Sequence, residues 1–133
     1  MAYQSNNITN CTNKGYIEIT ENKIDQTLEV VGRALVIKDG TNCTNDGHIN
    51  ITNNKALSNS YNDIYIAGIA VTTLNSMTGC INNGNITYNN NTLNDIRYNE
   101  DYKFINGLNA QMNYGTITDC ENKGIITIDG VVQ

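Results

Sequence analysis

Apolar and polar positions alternate in four stretches of this chain, and the alternation follows one form. Residues 9–19 read TNCTNKGYIEI, residues 41–51 TNCTNDGHINI, residues 78–88 TGCINNGNITY and residues 118–128 TDCENKGIITI. The shared form is T-x-C-x-N-x-G-x-I-x-(I/Y). Fixed positions lie two residues apart, which is the period of a β-strand with one face turned inward. A weaker similarity lies between the copies. Residues 28–37 (LEVVGRALVI), 64–73 (IYIAGIAVTT) and 102–112 (YKFINGLNAQM) gather apolar residues around Gly32, Gly68 and Gly107. These glycines precede the next cysteine by 11, 12 and 13 residues.

Each repeat is therefore expected to run from an apolar strand centred on glycine, through a short turn, into a strand over T-x-C. A bend at N-x-G and a strand over G-x-I-x-I follow. Polar, Asn-rich closures at 21–27, 52–63 and 89–101 complete the repeats and read as loops. LNDIRY in the third is a candidate short helix or strand. The cysteines, at 11, 43, 80 and 120, give a period of 32 to 40 residues, the range of solenoids and propellers. With no sustained helical periodicity, the chain reads as all-β. The expected architecture is a single domain, a right-handed parallel β-helix (β-solenoid) of four irregular turns near 7–27, 28–63, 64–101 and 102–133.

Equivalent strands stacked in parallel, about 4.8 Å apart, would place like residues in columns. Ile17, Ile49, Ile86 and Ile126 would form a dry branched wall. Gly15, Gly47, Gly84 and Gly124 would occupy a bend needing positive φ or a close backbone passage. Asn13, Asn45, Asn82 and Asn122 would hydrogen-bond along the stack through their amides. Thr9, Thr41, Thr78 and Thr118 would supply β-branched packing with a hydroxyl to share. Cys11, Cys43, Cys80 and Cys120 would line up as small buried hydrophobes.

Composition sharpens this picture. The 133 residues include no Pro, no Trp, one Phe and eight Tyr. Asn is abundant, which implies turns or stacked amides. A net charge of −5 with few, scattered Lys and Arg argues against binding nucleic acid or anionic membranes. No apolar run approaches the roughly 18 residues that cross a bilayer, so no membrane insertion is expected. MAYQSNNITN carries neither the charged nor the apolar region of a secretory signal. That fits a chain made in the cytoplasm, a processed piece or a virion part.

Candidate chemistry is sparse, and no cofactor is expected. The cysteines are too far apart for the paired spacing of a zinc site. Parallel side chains on neighbouring strands disfavour the disulfide dihedral. His48 sits at an outward position with no nucleophile or carboxylate at readable spacing. Carboxylates are scattered, and none recurs between repeats. Asn94–Asp95 and Glu100–Asp101 offer oxygen ligands for a hard cation such as calcium, but without a G-G-x-G-x-D pattern a solvated loop is the preferred reading. The Asn-x-Ser/Thr sequons at Asn7, Asn10, Asn42, Asn50, Asn85 and Asn90 follow from composition. Tyr61, Tyr65, Tyr98 and Tyr102 are the candidate contact residues, for stacking on sugars or anchoring a protein.

At CINNGNI (80–86), led by IYIAGIA (64–70), the chain resembles the GLUG-type repeats of bacterial surface proteins. Single glycines stand where those repeats pair them. The resemblance implies a β-solenoid with a structural or adhesive role, at a cell surface or in phages that exchange genes with gut bacteria, and it implies no catalytic residues. Three roles follow as expectations: a surface-binding repeat module without enzymatic activity, a virion decoration or fibre component, and a carbohydrate-binding or carbohydrate-cleaving β-helix. Open strand edges at both ends of so short a stack predict self-association or docking on a larger body. Val131 and Val132 are expected to lack cover.

Overall fold

A computed structural model describes residues 2–24, 27–56, 63–92, 103–112 and 115–133. Among them there is no helix. The first repeat holds β1 (Ala2–Thr9), β2 (Thr12–Asn13), β3 (Ile17–Thr20) and β4 (Lys23–Ile24). The second holds β5 (Leu28–Val31), β6 (Ala34–Thr41), β7 (Thr44–Asn45), β8 (Ile49–Thr52) and β9 (Lys55–Ala56). The third holds β10 (Ile64–Ala67), β11 (Ala70–Thr78), β12 (Ile81–Asn82) and β13 (Ile86–Asn89). The fourth holds β14 (Lys103–Asn106), β15 (Asn109–Met112), β16 (Thr116–Thr118), β17 (Glu121–Asn122), β18 (Ile126–Ile128) and β19 (Val131–Val132).

Every strand but the last pairs in parallel with its counterpart one repeat away. The sheet orders are β1-β6-β11-β15 (with β16 also on β11), β5-β10-β14, β2-β7-β12-β17, β3-β8-β13-β18-β19 and β4-β9. Register follows the repeat: Ile17 partners Ile49, Ile49 partners Ile86, and Ile86 partners Ile126. Asn13, Asn45, Asn82 and Asn122 are partnered in the same way. One irregularity falls between Thr73 and Ser76.

Beside a small cluster of Val31, Ala67 and Val71, two larger apolar clusters pack among the described residues. One joins Leu28, Val30, Ile49, Ile51, Ile64, Ile66, Ile86 and Tyr88. The other joins Ile8, Ala34, Ile37, Ile69, Ala70 and Met77 with Cys43 and Cys80. Burial is graded along the columns. Ile49 and Ile86 are fully buried, while Ile17 and Ile126 are half-buried, because each outer repeat has a neighbour on one side only.

Four details differ from the sequence expectation. Gly32, Gly68 and Gly107 are corners between two strands and not strand centres, since a Cβ there would strike the neighbouring repeat's backbone or the Asn45, Asn82 and Asn122 side chains. T-x-C is likewise a corner: Asn10, Asn42, Gly79 and Asp119 all take positive φ, between 50° and 62°. These are the residue types that tolerate the left-handed region. The closures begin with paired strand and not with loop, with β4 on β9 and a bridge from Lys55 to Thr92. The fourth repeat ends in a hairpin, where Asp129 and Gly130 (φ 48° and 82°) turn β19 back antiparallel onto β18. Asp-Gly is a favoured pair for such a two-residue turn. Val131 and Val132 therefore occupy the edge of β18, though their side chains stay 62% and 66% exposed.

Candidate functional site

The most constructed feature of the molecule is the pair of columns that joins the repeats internally. At the N-x-G bend, Asn13 donates its Nδ2 to Asn45 Oδ1 (2.6 Å), Asn45 to Asn82 (2.7 Å) and Asn82 to Asn122 (2.7 Å). The same Nδ2 atoms of Asn45, Asn82 and Asn122 reach the carbonyls of Gly47, Gly84 and Gly124 at 2.8–2.9 Å. Asn45 and Asn82 are fully buried. A buried amide is stable only when its donors and acceptors are met, and this geometry meets them from the bend and the two neighbouring repeats. The glycine of the bend is required for close passage and not for φ. A Cβ at Gly47, Gly84 or Gly124 would strike the carbonyl oxygen of the preceding repeat's glycine.

At the T-x-C corner each thiol turns inward and donates to the carbonyl two residues back, at 3.3–3.6 Å. The Cys43 N–H points at Cys80 Sγ (3.4 Å), and the Cys80 N–H at Cys120 Sγ (3.2 Å). All four cysteines are free thiols. The contact with Cys43 and then burial push the Cys80 thiol far above its ordinary range, while the hydrogen bond with Cys80 holds the Cys43 thiol below its ordinary value.

A second corner repeats this device with asparagine and escaped the sequence reading. Glu21, Asn53 and Asn90 take positive φ, and Asn22, Asn54 and Asn91 follow them. Asn22 and Asn54 donate Nδ2 to the carbonyls of Thr20 and Thr52, two residues back. Their N–H groups are received by Asn54 Oδ1 and Asn91 Oδ1, each at 2.9 Å. The signal was present as T-E-N, T-N-N and N-N-N, but it merges into the Asn-rich closures. An open groove of about 500 Å³ runs beside this corner, lined by Glu21, Lys23, Asn53, Lys55 and Asn90 together with Asn22.

The outward face of β3, β8 and β13 carries another groove, of about 390 Å³, lined by Tyr16, His48, Ile49, Asn50, Asn85 and Thr87. His48 Nδ1 accepts the Asn85 N–H at 2.9 Å, which places the neutral ring's proton on Nε2. Asn85 Oδ1 receives the Ile125 N–H in the same way. The groove's lining residues include no carboxylate or thiol to pair with the imidazole.

Of the candidate contact tyrosines, Tyr61, Tyr98 and Tyr102 lie outside the described residues, as do Asn94, Asp95, Glu100 and Asp101 and the LNDIRY segment. Tyr65 stacks flat on Phe104, with centroids 5.3 Å apart and planes 6° from parallel. One ring face is thus given to a neighbouring strand. Burial, then the Asp63 and Glu29 charges, raise its phenol above the ordinary value. Among the described residues no group of three His, Cys, Asp or Glu side chains gathers as a metal site, and no helix is long and apolar enough to cross a membrane.

Comparison with protein families, with curated proteins and with solved structures finds no match to this chain.

Proposed function

We propose that the chain coils as a small right-handed parallel β-solenoid of GLUG-type repeats and acts as a non-enzymatic structural or adhesive module. Its place would be a cell surface or a virion. The observation that carries this reading is the use made of the polar interior. Asn45, Asn82, Cys43 and Cys80 are fully buried; Asn45, Asn82 and Cys80 are bonded to the repeats before and after them, and Cys43 to the one after. Groups that elsewhere do chemistry here tie the repeats to one another. Solenoids built this way offer long regular faces, on which binding residues recur at the strand spacing. The outward columns through Tyr16, His48 and Asn85 and through Tyr65 and Phe104 are such faces.

The test is a glycan and cell-surface binding array run beside a reducing-end assay on the same polysaccharides. Retention without released ends is the expected result. Release of reducing ends from any polysaccharide would replace this reading with that of a carbohydrate-cleaving β-helix.

A further inference from the structure

We infer that the open edge of the first repeat receives the fourth repeat of a second copy, so that chains add head to tail, with β19 as a removable stop. The inference rests on the parallel-stack reading above and names the partner of its exposed end.

The first observation is a glycine without a local reason. Gly47, Gly84 and Gly124 each pass the carbonyl of the glycine before them too closely for a side chain. At Gly15 a Cβ would meet only Asn13 Oδ1, at 3.3 Å, and its φ is not in the positive region. Nothing within the described chain requires glycine there. The carbonyl of Gly124 from a second copy would require it, in the way that the Gly15 carbonyl requires glycine at position 47.

The second observation is the polarity of the amide column. Every Nδ2 points to the following repeat, so Asn45, Asn82 and Asn122 each receive a neighbour's N–H on Oδ1. Asn13 Oδ1 receives only the Gly15 N–H, at 3.2 Å. At the far end Asn122 Nδ2 donates to the Gly124 carbonyl and has a second proton to give. Asn109 Nδ2, also in the fourth repeat, is buried without a partner. The last amide of one copy thus matches the first of the next.

The same superposition puts Cys120 over Cys11 and Ile126 over Ile17. It brings Ile125 (52% exposed) onto Tyr16 (58% exposed), covering two apolar side chains at once. Its one mismatch sets Lys123 near Lys14, and Glu121, 3.2 Å from Lys123, offsets that charge.

β19 stands in the way. It holds the edge of β18 through the pairs Thr127–Val132 and Ile128–Val131, the edge that β3 of an incoming copy would need. Two residue pairs are a weak stop. A head-to-tail contact of this kind does not close on itself, so assembly is linear.

Sedimentation velocity on the full chain and two variants tests this. Gly130→Pro cannot hold the 82° φ of the hairpin and frees the edge; association is expected at a concentration lower than wild type by about tenfold or more. Gly15→Ala is expected to melt as wild type does and to abolish association, alone and combined with Gly130→Pro. Wild type and Gly130→Pro both remaining monomeric at every concentration, or association that survives Gly15→Ala, would overturn the proposal. Gly47→Ala is the control for the parent reading. If it proves as harmless as Gly15→Ala, the stack itself is wrong, and not merely its assembly.

Discussion

At the scale of the residue, the molecule is governed by which polar atoms it buries. Removing the Asn82 side chain strips an acceptor from the buried Asn45 amide and a donor from the buried Gly84 carbonyl. Each buried group left unpaired costs about 1–3 kcal/mol, so Asn82→Ala is expected to lower unfolding free energy by roughly 3 kcal/mol, measured by urea titration. Asn122→Ala is expected to cost less, because Asn122 is exposed. Equal losses would show that the column is not continuous. The thiols give a second prediction. Cys43 and Cys80 are fully buried, whereas Cys11 and Cys120 are half-buried. An aromatic disulfide reagent should therefore modify Cys11 and Cys120 in the folded chain well before the inner pair; uniform reaction of all four would contradict the placement. Tyr65 supplies a pH dependence. Its folded phenol is raised by burial and by Asp63 and Glu29. Its contribution to stability is present below the unfolded tyrosine value near 10 and is lost as pH climbs from there through the folded value. Tyr65→Phe should flatten the alkaline limb of the stability profile.

At the scale of the element, corners and not strand interiors separate what was legible from what was not. The C-x-N-x-G-x-I spacing was readable because every fixed residue has one job in a two-residue period. The T-x-C segment shows the same spacing, yet the left-handed φ at Asn42 turns it into a corner. Alternation alone cannot report a backbone turn that keeps the next side chain facing inward. Gly68 misled for a related reason. Apolar residues flank it on both sides, but they belong to different strands meeting at a corner where Gly107 and Asn82 leave no room for a Cβ. The Asn22–Asn54–Asn91 corner was hidden by composition, since a fixed Asn among variable Asn carries no contrast. Its equivalence to the cysteine corner makes a prediction. Cys43→Asn should be tolerated better than Cys43→Leu in thermal melts, because asparagine can copy the bond to the Thr41 carbonyl and leucine cannot. The opposite order would mean that volume and not the hydrogen bond decides that position.

At the scale of the whole molecule, stability comes from repeats covering one another. The middle repeats bury Ile49, Ile51, Ile86 and Tyr88 completely, and the outer ones leave Ile17, Ile19, Ile126 and Ile128 half-covered. Ile86→Ala should thus cost about 3–4 kcal/mol as a buried large-to-small change, and Ile17→Ala clearly less, again by denaturant titration. The sequence foresaw the parallel register of its four copies, but neither the grading of burial nor the β19 hairpin. DGVV reads as a hairpin only when the strand it returns to is known to have a free edge. The central claim is that equivalent residues of successive repeats lie side by side in parallel. Isotope-edited NOE spectroscopy on the labelled chain tests it most directly. The account predicts contacts from Ile86 to both Ile49 and Ile126, and from the Asn82 side-chain amide to those of Asn45 and Asn122. Contacts running in opposite directions along paired strands, such as Ile49 to Tyr88 with Ile51 to Ile86 across a hairpin, would contradict it.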